Sequence, residues 1–147
     1  MFDRIRCANR SDVRLVLPAH CFHLGQFIEK PKSPSQILVE KVESRSVFLR
    51  WTVGNTGRAP IIKYIIEYNN ESNFRPETAT WKTAHVVNDA HKLYPLFPME
   101  VPNLKPYAEY RFRVTAVNLM GSSPPSNASG TVRTAEDSKC LCFLKLG

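Results

Sequence analysis

The chain has 147 residues, a formal net charge of +7 and an apolar fraction of 43%. This length supports one hydrophobic core, and no apolar run approaches the roughly eighteen residues that a membrane-spanning helix requires. The positive charge suits an anionic partner, but Arg and Lys residues near both ends supply part of the excess, so the charge alone does not indicate nucleic-acid binding.

The first part of the chain, residues 1–32, is interpreted as an unassigned leader that is poorly ordered. It shows neither helical periodicity nor strand alternation, and Pro31 and Pro34 then mark the start of a domain. Charged residues leave only a short apolar stretch in the leader, so no signal peptide is predicted. Residues 33–134 are predicted to form the domain, and residues 135–147 a tail.

Short alternating segments begin at Ile37 and indicate an all-β sandwich. Alternate positions of a strand share a face, and three segments carry apolar side chains at alternate positions. These faces are Val47, Leu49 and Trp51; then Ile62, Tyr64, Ile66 and Tyr68; then Tyr110, Phe112, Val114 and Ala116. Prolines around Met99 and Val101 cannot donate to a central ladder, so this segment is predicted to be a short edge strand.

These segments resemble the fibronectin type III family. The stretch SVFLRW at 46–51 is similar to the family's second strand, and PIIKYIIEY at 60–68 to its third. The stretch LKPYAEYRFRVTAVN at 104–118, followed by Gly, Ser and Pro, resembles the part that most marks the family. The resemblance covers residues 33–134 and implies a seven-stranded antiparallel β-sandwich with an immunoglobulin-like fold.

The resemblance also places Tyr110 at a tyrosine corner. In this arrangement the phenol ring is buried and its hydroxyl bonds to backbone just upstream, here near Leu104. The residues predicted to form the structural core are Trp51, Tyr64, Leu104, Tyr110, Phe112 and Val114.

Within the family, residues 60–68 and 116–118 look most like the modules of neural cell adhesion proteins of the neurofascin, contactin and sidekick kinds. The resemblance implies a non-catalytic interaction or spacer module on the extracellular side of the plasma membrane, as part of a larger protein. Its partners would be other proteins or neighbouring domains. Intracellular structural proteins also use this fold, and the missing signal peptide favours that alternative.

A basic strand face is a candidate binding site. Arg111 and Arg113 are two residues apart on one outward face, and Lys63 is expected on a neighbouring strand of the same sheet. These three residues form a candidate site for heparan sulfate or an acidic partner. The alternative is that the arginines pack over exposed aromatic rings such as Trp81.

The loop between the last two predicted strands is a second candidate surface. Gly121, Ser122, Ser123 and Pro124 lie where this fold commonly presents contact residues, and consecutive prolines stiffen the loop.

Three N-x-[ST] sequons are candidate glycosylation sites. Asn70 falls in a polar loop after the third strand, Asn127 lies before the last strand, and Asn9 lies in the leader.

No catalytic, cofactor or metal site is predicted. The four histidines have no nucleophile motif near them, and the chain has no phosphate-binding glycine loop. The chain has four cysteines, and no two of them form a C-x-x-C pair. They lie outside the predicted core, so that core is expected to have no disulfide: Cys7, Cys21, Cys140 and Cys142.

Overall fold

The chain is seen in a computed structural model that describes residues 27–88, 90 and 98–137. Within these residues, two antiparallel sheets pack against one core. Their strands are β1 (Ser35–Val42), β2 (Val47–Thr52), β3 (Lys63–Asn69), β4 (Lys82–Asn88), β5 (Met99–Val101), β6 (Glu109–Asn118), β7 (Gly121–Ser122) and β8 (Val132–Arg133). One sheet has the order β1-β2-β5 and the other β4-β3-β6-β7, with β8 also paired to β6. The predicted all-β sandwich is confirmed.

The core lies between the inward faces of β2, β3 and β6. All six residues predicted for it are buried, and Trp51 and Tyr110 belong to the same cluster. The rings of Trp51 and Tyr64 meet edge to face with their centroids 5.1 Å apart. β5 is a three-residue edge strand paired with β2, as the surrounding prolines predicted.

One apolar position differs from the predicted pattern. Ile62 was expected on the inward face of the third strand, but it is exposed, whereas Ile61 is buried. The reason is that β3 begins only at Lys63, and the alternation of side chains holds only within an extended strand. The backbone of Ile62 is still hydrogen bonded, because its N–H donates to the carbonyl of Val117.

The tyrosine corner has the expected geometry. Tyr110 is 2% exposed, and its hydroxyl accepts a hydrogen bond of 2.8 Å from the backbone N–H of Lys105, next to Leu104. The ring of Tyr68 meets that of Tyr110 edge to face at 5.3 Å. The hydrogen bond of this corner fixes the start of β6 against the segment that precedes it.

The last predicted strand is only two residues long, β8, and the loop predicted before it begins with the short strand β7. Between them, Ser123, Ser126 and Ser129 are buried, whereas the two residues that follow each of the first two are exposed. A period of three is that of a polyproline II helix, which has no hydrogen bonds of its own, and consecutive prolines favour it. We call these three residues the serine ladder.

Each residue of the serine ladder satisfies both backbone groups of one residue of β6. Ser126 donates its N–H to the carbonyl of Val114, and its hydroxyl accepts from the N–H of Val114. Ser123 does the same with Ala116, and Ser129 with Phe112. The ladder therefore closes the edge of β6 without a continuous strand.

Candidate interaction surfaces

The side chain of Asn118 forms hydrogen bonds at the end of the domain where the N-terminal segment packs against it. Asn118 is 3% exposed, and its amide nitrogen donates to the carbonyls of Glu29 and Thr56 at 2.6 and 2.9 Å. Its amide oxygen accepts from the N–H of Met120 at 2.8 Å. Three segments that are distant in sequence are therefore fixed at one point.

Glycine at position 57 allows this close approach. Gly57 has a φ of +69°, and its carbonyl accepts a hydrogen bond of 2.8 Å from the N–H of Glu29. A Cβ at this position would clash with the carbonyl oxygen of Glu29. The N-terminal segment can lie against this loop because residue 57 has no side chain.

Four exposed apolar side chains flank the hydrogen bond between Asn118 and Glu29. Phe27 and Ile28 directly precede Glu29, and Leu119 and Met120 directly follow Asn118. Phe27 is 82% exposed and Leu119 is 75% exposed, and the other two are also exposed. We call these four residues the apolar pole. Large exposed apolar side chains near one point of a surface are a candidate interaction site.

The predicted loop candidates are not all available for contact. Gly121 and Ser122 form β7, and Pro124 is exposed, as is Ser122. Ser123 is buried and its groups bond to Ala116, so it cannot act as a surface contact. The structure adds Leu119 and Met120 as candidate contact residues that the sequence analysis did not single out. Their signal was the presence of two large apolar residues in a tight turn.

The basic face has aromatic and acidic neighbours. The guanidinium carbon of Arg111 lies 4.5 Å from the ring centroid of Phe74, and that of Arg113 lies 4.5 Å from the ring centroid of Trp81. Arg113 also donates from Nε to a carboxylate oxygen of Glu67 at 2.7 Å. This arrangement corresponds to the packing alternative rather than to a row of unpaired charges.

Lys63 lies apart from the two arginines. In the register of β3 with β6, Lys63 faces Val117, whereas Glu67 faces Arg113. Glu67 lies four residue steps along the strand from Lys63, or about 13 Å at roughly 3.3 Å per residue. The structure therefore brings Arg111 and Arg113 together but does not place Lys63 beside them.

This geometry predicts the outcome of a heparin experiment. Replacing Arg111 and Arg113 with Ser is expected to lower the eluting salt no more than replacing the exposed Lys82 and Lys105 with Ser. Each pair removes two charges, but only the arginine pair is expected to cost stability, about 1–3 kcal/mol from two cation–π contacts and an ion pair. The measurements are heparin chromatography and urea denaturation of the full chain. A loss of retention confined to the arginine variant would restore the glycan-binding alternative.

The sequons lie in different environments. Asn70 is exposed in the loop between β3 and β4. Asn127 is exposed, although Ser129 of the same sequon is buried in the serine ladder. Asn9 lies outside the described residues. The use of these sites remains a prediction.

The described residues are informative about clustered metal ligands and membrane-spanning helices. Among residues 27–88, 90 and 98–137, no group of three or more His, Cys, Asp or Glu side chains is placed to hold a metal ion. In the same residues, no helix has the length and apolar character needed to span a bilayer. All four cysteines lie outside the described residues.

Comparisons with known proteins agree with this fold. The fibronectin type III domain profile matches residues 32–132. Sidekick-1 of Gallus gallus is 34% identical over 108 residues, which is 74% of this chain and 5% of that protein. Neurofascin of Gallus gallus is 35% identical over 108 residues, 73% of this chain and 7% of that protein. Neural cell adhesion molecule L1 of Takifugu rubripes is 32% identical over 110 residues, 74% of this chain and 8% of that protein.

A solved structure of domains A168–A170 from titin has a TM-score of 0.60 at 29% identity, covering 74% of this chain and 33% of that one. The chain thus spans only a small part of the relatives that it matches. The profile match covers more than half of the chain, and the sandwich and tyrosine corner accord with it. The chain belongs to the fibronectin type III family.

Proposed function

We propose that this chain is a non-catalytic interaction and spacer module of a cell-surface adhesion protein, on the extracellular side of the membrane. The observation that carries the proposal is the apolar pole, a set of large apolar side chains on a rigid support. Asn118 fixes the backbone on both sides of it, so a partner binds without ordering a loop. The similarity to neural cell adhesion molecule L1 supports the adhesion setting.

The two alternatives have less support. The glycan-binding alternative needs unpaired positive charge, but Arg113 is paired with Glu67 and stacked on Trp81. The intracellular alternative is compatible with the structural similarity to titin domains. The sequence matches to adhesion proteins favour the extracellular setting over it.

A cell-binding assay tests the proposal. Beads coated with the full chain are expected to be retained on unpermeabilised cells of at least one line in a panel of cultured cells. Replacing Leu119 and Met120 with Ser is expected to reduce retention at least about fivefold, because losing a central apolar anchor costs about 1 kcal/mol or more. The measurement is the number of beads bound per cell.

The matched control removes two exposed apolar residues elsewhere. Leu38 and Val42 lie on β1, and their replacement with Ser is expected to leave retention unchanged. Equal loss in both variants would contradict the role of the apolar pole. An epitope tag on the protein that contains this chain tests the compartment, and a tag reached only after permeabilisation would contradict the extracellular setting.

A further inference from the structure

A cleft of about 400 Å³ lies between the start of β1 and the serine ladder. Its volume falls within the roughly 300–1,000 Å³ of sites that bury small ligands. Polar side chains and backbone line most of it, and apolar groups form a smaller platform. The lining residues that matter are Ser35, Gln36, Ile37, Pro125, Asn127 and Ala128.

Both walls of the cleft are held in place by hydrogen bonds. The hydroxyl of Ser33 donates to the carbonyl of Pro124 at 2.8 Å, which joins the two walls at one end. On one wall, Gln36 has a φ of +49° at an irregularity of β1, and its side-chain oxygen accepts from the hydroxyl of Thr52. On the other wall, Ser126 and Ser129 are bonded to β6. The cleft is therefore preformed.

Asn127 is a glycosylation acceptor that lines this cleft. Its own carbonyl accepts a hydrogen bond of 2.9 Å from the hydroxyl of Ser126, so its backbone position is fixed. The residue is exposed, and Ser129 supplies the hydroxyl residue of the sequon. Asn70 differs because it lies in an exposed loop and does not line the cleft. Of the two sequons within the described residues, Asn127 is the one whose acceptor amide lies beside a cleft.

We propose that Asn127 carries an N-linked glycan whose first N-acetylglucosamine lies in this cleft. A sugar ring has hydroxyl and amide edges and apolar C–H faces, which suit a lining that offers polar groups from Ser35 and Gln36 and apolar groups from Ile37, Pro125 and Ala128. The glycan thus bridges β1 and the serine ladder.

The attachment reaction balances with a lipid-linked oligosaccharide diphosphate as donor. The side-chain nitrogen of Asn127 forms a bond to C1 of the sugar while the bond from C1 to the diphosphate oxygen breaks. The electron pair of that bond leaves with the lipid diphosphate, and the nitrogen loses one proton to the medium. The proposal requires transfer to the unfolded chain, before Ser129 becomes buried.

The natural use of this site rests on the proposed extracellular setting, but its test does not. The full chain is secreted from mammalian cells behind a heterologous signal peptide, and the glycan is trimmed enzymatically to one N-acetylglucosamine. Mass spectrometry is expected to find this sugar on Asn127 and to find it lost from that position in N127Q. Absence of the sugar from Asn127 overturns the proposal.

Hydrogen exchange then tests whether the sugar lies in the cleft. Backbone amides at 35–37 are expected to exchange at least twofold more slowly in the single-sugar chain than in N127Q. N70Q serves as the matched control and keeps the slow exchange, whereas Ser35→Trp fills the cleft and abolishes the difference while the sugar stays attached. Equal exchange with and without the sugar overturns the seating. The bead assay on the unglycosylated chain reports on the proposed function separately.

Discussion

Replacing Trp51 with alanine is expected to lower the free energy of unfolding by about 3–5 kcal/mol, the range for removing a buried large aromatic side chain. Trp51 is 4% exposed, and its ring contacts Tyr64 at the centre of the core. The surrounding strands cannot collapse into the space, because β2 is held between β1 and β5 by ladders on both sides. Since total stability is about 5–15 kcal/mol, this variant is expected to lose between about a fifth of its stability and all of it.

The measurements are urea denaturation and thermal denaturation, each monitored by far-ultraviolet circular dichroism. The melting temperature is expected to fall by at least about 12 °C, because each kcal/mol corresponds to roughly 4–8 °C in a domain of this size. Leu38→Ala, on the exposed face of β1, is the control and is expected to change stability by no more than about 0.5 kcal/mol. A Trp51→Ala variant as stable as this control would show that the core does not depend on the indole.

The central strands were predictable from local pattern. Val47, Leu49 and Trp51 repeat every second residue, and the period matches the strand that they form. β5 was predictable for a different reason, because prolines exclude a central ladder position. Each of these signals depends only on residues that are close in sequence, and for that reason both features could be predicted.

The apolar pole was not predictable in the same way. The two carbonyls bonded by Asn118 belong to residues 89 and 62 positions away. No local pattern shows that Glu29 and Thr56 meet at this side chain, so residues 1–32 looked uniformly unassigned. Only the leader residues from 27 onward are described, and the domain boundaries remain a prediction.

The basic face shows a similar limit of local sequence. The alternation of β6 placed Arg111 and Arg113 on one outward face. Their partners come from elsewhere, since Glu67 lies on β3 and Phe74 and Trp81 lie between β3 and β4. The sequence therefore predicted a positively charged face, but it did not predict how far neighbouring side chains neutralise that charge.

Replacing Ser123, Ser126 and Ser129 together with alanine is expected to lower the free energy of unfolding by about 3–6 kcal/mol. Each hydroxyl is the acceptor for one buried N–H of β6, at 3.0–3.1 Å. An unsatisfied buried N–H costs about 1–3 kcal/mol, and neighbouring sites need not add fully. Ala128→Ser, which alters an exposed position in the same segment, is the control and is expected to have little effect.

The single variants distinguish the ladder from general packing, because each serine serves one amide. Ser126→Ala is expected to speed hydrogen exchange at Val114 by about 5- to 150-fold, the equivalent of about 1–3 kcal/mol, with a smaller change at Phe112 and Ala116. Alanine lacks only the hydroxyl oxygen of serine. If the variant acted through a general loss of packing, the exchange rates of all three amides would rise by similar factors. Uniform acceleration, or none, would contradict the one-to-one pairing. A localised effect would mean that side-chain hydroxyls close this edge of β6 within a segment that was predicted to be mostly a loop.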